Sequence, residues 1–420
     1  MHILILYQHY LSPGEPGFSR LNEYAKRWVR DGFEVTVIAS QVNYMTGRRN
    51  VPSGRSFIRR YLDEEGVRLI RAYTPSSYQH SVSNKIAALA TFTLSSTLAT
   101  LWAKRPDVIL ASTPPLMMVI PAILAASWWR VPFVLDIRDL WPESGYTLGI
   151  LKEGGFFARL FSWLEKTGIS RAAAVNVLTP AFEDDLLRRG LAPPQKIRLI
   201  PNGVDLEQIA ALPPAEGIRD KLGWKDRFVV LYAGAHGLAN NLEQLVEAAS
   251  ILSSHPEVLL ACVGDGIALP ELKRKAQEKG LANIRFHGPV PRGTVLEFVA
   301  AADICVAILK PGSAFSKVYP NKILEYMACG KPILLAIDGA ARQLVEEAGA
   351  GIFVPPADPG AIARGILTLM ASPEMRASMG RRGREFVTRH FSLDRLYAQM
   401  TDLLRAVAEK RGKGWQSGCW

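Results

Sequence analysis

Short apolar runs alternate along the whole chain with longer stretches whose apolar positions fall three and four apart. The runs HILIL (2–6), EVTVIAS (34–40), VRLIRA (67–72), DVILAS (107–112), PFVLDI (132–137), AAVNVLT (173–179) and KIRLIP (196–201) predict strands, and the segments between them predict helices. After the turn tripeptide Pro201-Asn202-Gly203 the rhythm restarts with RFVVLYAG (227–234), VLLACVG (258–264), IRFHG (284–288), ICVAIL (304–309), PILLAI (332–337) and GIFVP (351–355). Strands in such repeating strand–helix order belong to parallel sheets covered on both faces. The expected fold class is therefore α/β, with two Rossmann-like domains and a hinge near 202–225. From about Pro373 to Ala408 the period is helical with no strand left to cover, which predicts a helix packing back across the domain junction. The expected boundaries are 1–202, 203–385, a C-terminal helix over 386–410 and a tail over 411–420.

Composition narrows the class. A chain of 420 residues fits two domains, and 48% hydrophobic with 21% charged residues excludes a disordered polycation and a multi-span membrane protein. Cys262, Cys305, Cys329 and Cys419 are dispersed with no CxxC, which argues against a disulfide framework or zinc site and fits a reducing cytoplasm. HILIL runs into polar Tyr7-Gln8-His9-Tyr10 without a basic n-region or a long apolar h-region, so no signal peptide is read.

The net charge of +11 is uneven: 24 Lys and Arg against 16 Asp and Glu up to Ile200 leave +8 there and +3 in the remainder. The same half holds two uncharged stretches, 86–103 and 108–129, each near the ~20 residues of a membrane span. Pro114-Pro115 and Pro121 interrupt the second, which reads as a strand followed by an apolar helix. Trp128-Trp129-Arg130 and Phe156-Phe157-Ala158-Arg159 combine aromatics with Arg as at a headgroup boundary. The expectation is a cytoplasmic protein, peripheral on the inner face of the cell membrane, with an anionic lipid surface as partner. No basic stripe or recognition module accompanies the charge, so no nucleic-acid partner is expected.

The most specific chemistry lies in SAFSKVYPNKILEYMACGKPI (313–333), a polar loop with two lysines leading into a helix that opens at Pro320-Asn321. With Asn321 as N-cap, the amides of Lys322, Ile323 and Leu324 face outward at the positive end of the helix dipole, where a diphosphate is stabilised; Lys317 and Lys322 add charge. Glu325, one turn into the helix on an apolar surface, can accept from both hydroxyls of a ribose or serve only as a cap or ion pair. In the loop Ser12–Arg20, Gly14 and Gly17 let the backbone approach a ligand and a helix begins near Ser19; Arg20 either adds charge or forms a surface salt bridge.

Asp136-Ile137-Arg138-Asp139 follows a strand and continues through an aromatic loop to Glu143, with its polar groups at the ligand-binding edge of the sheet. The turn glycines Gly234, Gly264 and Gly266 are of low specificity, and His236 reads as a loop hydrogen bonder or as a base. A nicotinamide site needs G-x-G-x-x-G, whose first glycine falls on Ser12.

Together with IPNGVD (200–205), LYAGAHGLANNLEQL (231–245), CVGDG (262–266) and FHGPVP (286–291), these segments resemble, in order and over nearly the whole chain, family 4 of the GT-B retaining glycosyltransferases. YQHYLSPGEPGFSR and DIRDLWPES resemble its bacterial N-acetyl-L-fucosamine (fucosaminyl) or colanic-acid-type branch. The resemblance implies two parallel sheets facing across a cleft, donor binding by the C-terminal domain, acceptor binding by the N-terminal one, and neither a metal nor a cofactor besides the UDP-sugar co-substrate. It puts the amides of Gly17 and Phe18 against the distal phosphate, the backbone of His287 to Val290 against the base, and Glu325 on the ribose. Gly234, His236, Gly264, Tyr319, Asn321, Lys322 and Leu324 complete the expected donor site. Asp139 is expected to contact the transferred sugar or the acceptor hydroxyl, with Arg138 as its neighbour or an acceptor-phosphate ligand and Glu143 in reserve.

Two departures stand out. The first Glu of the family's E-x7-E pattern is Lys317, and its Gly-Arg…Lys element falls on Gly234, Ala235 and Asn240, so both basic residues are missing. Lys317 or Lys322 is expected to supply that charge, which makes Lys317 a catalytic candidate beside Asp139. The expected activity is retaining transfer of an N-acetylated amino or deoxyamino hexose from a UDP-sugar to a polyprenyl-diphosphate-linked saccharide in O-antigen, capsule or exopolysaccharide assembly. A UDP-N-acetylhexosamine 2-epimerase-like isomerase and an inactive donor-binding scaffold are the alternatives.

Overall fold

The computed structural model describes residues 1–12, 19–43, 47, 49, 56–75, 82–147, 151–312 and 314–410. Contacts divide the chain into two units, Met1–Pro201 with the chain from Tyr397 onward, and Asn202–Leu396.

The first unit runs β1 (His2–Leu6), α1 (Arg20–Arg30), β2 (Glu34–Ser40), β3 (Ile58–Leu62), β4 (Arg68–Ala72), α2 (Val82–Thr100), β5 (Val108–Thr113), α3 (Val119–Trp129), β6 (Phe133–Ile137), α4 (Glu143–Thr147), α5 (Phe156–Arg171), β7 (Ala174–Val177), α6 (Pro180–Arg188) and β8 (Ile197–Leu199). Its sheet has the order β3-β4-β2-β1-β5-β6-β7-β8. Every pairing is parallel except β3 on β4, where Ile58 lies opposite Ala72. The apolar runs do not predict β3: its residues Ile-Arg-Arg-Tyr-Leu sit largely exposed at the sheet edge, where no second face needs covering.

The second unit contains α7 (Leu206–Ala210), α8 (Ala215–Leu222), β9 (Phe228–Ala233), α9 (Glu243–Ile251), β10 (Val258–Val263), α10 (Leu269–Glu278), β11 (Ile284–Gly288), α11 (Arg292–Ala301), β12 (Ile304–Ile308), α12 (Asn321–Ala328), β13 (Ile333–Ala336), α13 (Ala340–Glu347), β14 (Gly351–Phe353), α14 (Pro359–Ala371) and α15 (Pro373–His390); α16 (Leu393–Lys410) follows. All strands are parallel in the order β11-β10-β9-β12-β13-β14. Alternate residues of β9 explain why the run is continuously apolar. Val229, Leu231 and Ala233 pack with Ile323 and Met327 of α12, while Val230 and Tyr232 pack on the other face with Leu245 and Ile362.

The hinge expected over 202–225 is instead folded structure. Asn202-Gly203 marks the start of the second unit, but Ile209, Ile218 and Trp224 are buried in its core, and Arg219 pairs with Asp303 at 3.1 Å. Residue 386 falls inside α15, and the last helix begins only at Leu393, whose N–H donates to the Val204 carbonyl. From Tyr397 that helix packs on α1: Trp28 Nε1 donates to Thr401 Oγ1 at 2.8 Å and Tyr397 Oη to Asp31 at 2.5 Å. Among the described residues no helix is long and apolar enough to cross a membrane.

In each sheet one pair of neighbouring strands has its chain connections leaving in opposite directions. These are β1/β5 in the first unit and β9/β12 in the second. Open α/β sheets bind ligands at the carboxyl ends of such strands.

Candidate functional site

At the end of β9, Gly234 has φ +145°, and a Cβ there would lie 2.7 Å from Lys322 Nζ. Only a residue without a side chain leaves the lysine its place. Gly264, after β10, has φ +134°, and its Cβ would strike the Gly234 carbonyl at 1.9 Å, so the two turns pack backbone on backbone. His236 in the first turn is buried, its N–H donating to the Asp265 carbonyl at 2.8 Å. Burial, and then the Lys322 cation, push its imidazole pKa down to about 4, which leaves it neutral near pH 7.

Lys322 reaches this place from α12. Its Nζ is out of contact with solvent, has no hydrogen-bond partner among the described residues, and lies 3.8 Å from the centre of the Tyr232 ring. Burial lowers its pKa to about 7, with Glu325 acting in the opposite direction. Tyr326 holds the helix against β9: its hydroxyl accepts from the Ala233 N–H at 2.9 Å.

The N-terminus of α12 differs from the sequence expectation. Pro320 occupies the cap position without a side-chain bond, and Asn321 is the first helical residue, with its Oδ1 accepting from Asn202 Nδ2 at 2.6 Å. The Ile323 N–H already donates to the Pro320 carbonyl and Leu324 is buried in the core, so Asn321 and Lys322 rather than residues 322–324 lead the helix. Glu325 forms an ion pair at 2.9 Å with Arg292, the first residue of α11, and both side chains are largely buried. Val290, two residues before Arg292, packs half-buried on the core, as does Tyr319, edge-on to Phe391. Lys317 closes a one-turn 3₁₀ segment, Phe315–Lys317, and is half-buried. No basic residue stands at Ala235 or Asn240, and the cation placed against their loop is Lys322.

In the first unit, Gly17 and Phe18 lie outside the described residues. The surface salt bridge expected as one reading of Arg20 is corrected, and its charge is already engaged: the guanidinium is buried in an ion pair with Asp136 and donates to the Ile200 and Pro201 carbonyls at 2.8 and 2.9 Å. Asn176 and Ser112 donate to the same carboxylate at 2.8 and 2.9 Å. Burial alone would raise the Asp136 pKa, but Arg20, Arg138 and these bonds bring it below the usual value. Arg138 donates to Tyr7 Oη at 2.5 Å and stacks 5.2 Å from its ring, beside His9, whose pKa burial and Arg138 lower to about 3. Asp139 accepts from Ser144 Oγ at the start of α4, where Glu143 is half-buried. Burial raises the Asp139 pKa against those bonds. Tyr7, His9 and Arg292 escape the sequence reading; the polar Tyr7-Gln8-His9-Tyr10 directly after β1 is the signal that marks the first two.

Two family profiles match, one on each unit: "Glycosyl transferase 4-like domain" over residues 19–203 and "Glycosyl transferases group 1" over residues 215–386. Between them the two profiles take in most of the chain, and both describe glycosyltransferases. The transferase is 28% identical over 267 residues to the glycosyltransferase WbjE of Pseudomonas aeruginosa, a match covering 62% of this chain and 66% of WbjE. It is 25% identical to WcaI of Escherichia coli, a colanic acid biosynthesis glycosyl transferase, over 89% of this chain and 93% of WcaI. Anabaena HepE, solved in complex with UDP-glucose, superposes over 97% of the transferase and 100% of its own chain with TM-score 0.71 and 20% identity. The two parallel-sheet units are those of the GT-B fold.

Proposed function

We propose that the transferase moves a sugar, an N-acetylated amino or deoxyamino hexose, from a UDP-sugar to a polyprenyl-diphosphate-linked saccharide during surface polysaccharide assembly, with retention and without a resident metal. The observation that carries the donor half is the buried amine of Lys322, held without a hydrogen-bond partner among the described residues where β9 ends and α12 begins. A buried cation lacking an acceptor is costly, and a diphosphate supplies the acceptor at a helix N-terminus that favours anions. Glu325 lies one turn further in, positioned for a ribose that shares its carboxylate with Arg292. HepE's complex with UDP-glucose supports uracil as the base, and the likeness to WcaI supports a polysaccharide product.

In this reading the acceptor oxygen bonds to the anomeric carbon on the face from which the diphosphate leaves. The carbon–oxygen bond to the β-phosphate breaks, and the acceptor's proton passes to a phosphate oxygen. Lys322 stabilises the charge that builds on that phosphate.

The acceptor half rests on the first unit's surface. Adjacent helices α2, α3 and α5 expose Leu94, Trp128, Phe156 and Trp163, with Arg105, Arg130, Arg159 and Lys166 also exposed. This combination suits the headgroup layer of an anionic membrane. Purified protein is expected to float with anionic liposomes and to be released by salt; failure to float removes the membrane from the reading.

Incubation with UDP-sugars and a prenyl-diphosphate saccharide, in EDTA, tests the reaction. Acceptor-dependent UDP release and a product heavier by one sugar are expected. An epimerised UDP-sugar without acceptor would make the protein an isomerase, and binding without turnover would make it a scaffold.

A further inference from the structure

The first unit holds a pocket of about 210 Å³ at the carboxyl ends of β1 and β5, the parallel pair where its strand order reverses. Gln8 and His9 reach it from the end of β1, the 114–117 turn from the end of β5, Leu89 from α2 and Phe161 from α5. Its position is that of a ligand site, but its walls are apolar: leucine, methionine, prolines and the rings of Trp141 and Phe161. It is smaller than the roughly 300–1,000 Å³ of a site that encloses a whole small molecule, so it fits one segment of a longer ligand.

Among the lining residues the polar side-chain groups are those of Gln8 and His9 at the β1 end and the indole N–H of Trp141. Beside the neutral His9 stands Arg138, stacked on Tyr7. The Gln8 side-chain oxygen is buried there with no hydrogen-bond partner among the described residues, and the same amide turned over would offer N–H donors to an anion. Exposed apolar side chains neighbour the lining: Phe157 lies one turn from Phe161 on α5, and Ile86 about one turn from Leu89 on α2. An occupant that matches this order is apolar in the pocket, anionic toward Gln8 and Arg138, and continuous with an apolar chain outside.

We infer that the pocket seats the phosphate-proximal isoprene units of the acceptor lipid, with the diphosphate turned toward Gln8 and Arg138. The inference rests on the transfer reading above and adds to it the part of the acceptor this chain recognises besides the sugar. Specificity would then include the first prenyl units, and a saccharide diphosphate capped by methyl would be a poor acceptor.

Wild-type protein irradiated with a prenyl diphosphate carrying a diazirine in its first isoprene unit tests the site directly. Peptide mapping is expected to place the label on Leu89, Met117 or Phe161, with competition by unlabelled farnesyl diphosphate; a label confined to other positions overturns the inference. In turnover, wild type is expected to favour the prenyl over the methyl-capped acceptor roughly 10- to 100-fold in kcat/KM, and Met117→Trp, which fills the pocket, to bring that ratio near one. An undiminished ratio in the folded variant overturns the inference. If no acceptor is turned over, the transfer reading fails while the labelling result still decides the pocket.

Discussion

Lys322→Ala is expected to lower kcat/KM for the UDP-sugar by about 10²- to 10³-fold, the effect of removing one group that stabilises charge on a leaving oxygen in a water-poor site. The loss should fall on kcat as well as on KM, because the charge at the departing phosphate grows toward the transition state. Lys317→Ala provides the contrast. The structure places the Lys322 amine at Gly234, so the Lys317 variant should lose far less. The reverse ranking would return the compensating charge to Lys317.

The same lysine sets a pH dependence. Burial lowers its pKa to about 7 in the free protein, so the cation is present below that value and lost above it. The profile of kcat/KM for the donor, which reports the free enzyme, should fall as pH rises through about 7. A bound diphosphate favours the charged amine, so kcat should hold to higher pH. His236 and Tyr232 also face this amine, but His236 titrates near 4 and the Tyr232 hydroxyl is pushed up by burial, so neither accounts for a limb near neutrality. A flat kcat/KM profile between about pH 6 and 9 would contradict this role.

The second large effect concerns stability. Asp136→Ala should destabilise the first unit by about 3–5 kcal/mol, the usual cost of leaving one partner of a buried ion pair uncompensated, because the Arg20 guanidinium stays buried with only carbonyl oxygens to bond. Asp136→Asn should recover little, since an amide keeps the shape but cannot neutralise Arg20. The folded pKa of Asp136 lies below its unfolded value of about 3.9. Its contribution is thus complete above that value and is lost as pH falls toward the folded pKa, so the wild-type advantage over the variant should narrow in acid. Denaturant unfolding near pH 7 and near pH 3 measures both quantities; a loss below about 1 kcal/mol at pH 7 would mean the cluster is not what holds these strands together.

Much of the fold was legible because continuous apolar runs are what parallel strands require on both faces. Each apolar run read from the sequence corresponds to a strand, whereas edge strand β3, with two arginines, carries no such signature. Contacts divide the chain within the tripeptide Pro201-Asn202-Gly203, between Pro201 and Asn202, but the segment after it buries Ile209, Ile218 and Trp224, a pattern too short to compete with the turn signal. Local signals in the 313–333 stretch predicted a helix opening at Pro320-Asn321, and α12 begins at Asn321, with Lys322 and Glu325 on it.

Partnerships between distant residues were not legible. Arg20 meets Asp136 across 116 positions, and Glu325 meets Arg292 across 33, so a candidate phosphate ligand turned out to be a buried brace and a candidate ribose ligand already has a partner. What lies opposite Lys322 was likewise beyond the reach of local spacing. Gly234, 88 residues before Lys322, is the position that leaves room for its amine.

Calorimetric titration with UDP at about pH 8.5, in two buffers of different ionisation enthalpy, is the most direct test of the donor site. There the terminal phosphate of UDP is already ionised and free Lys322 is mostly neutral. Binding with uptake of close to one proton, abolished in Lys322→Ala, is the expected result. Binding without proton uptake, or uptake that survives in the variant, would contradict the placement of the diphosphate against Lys322.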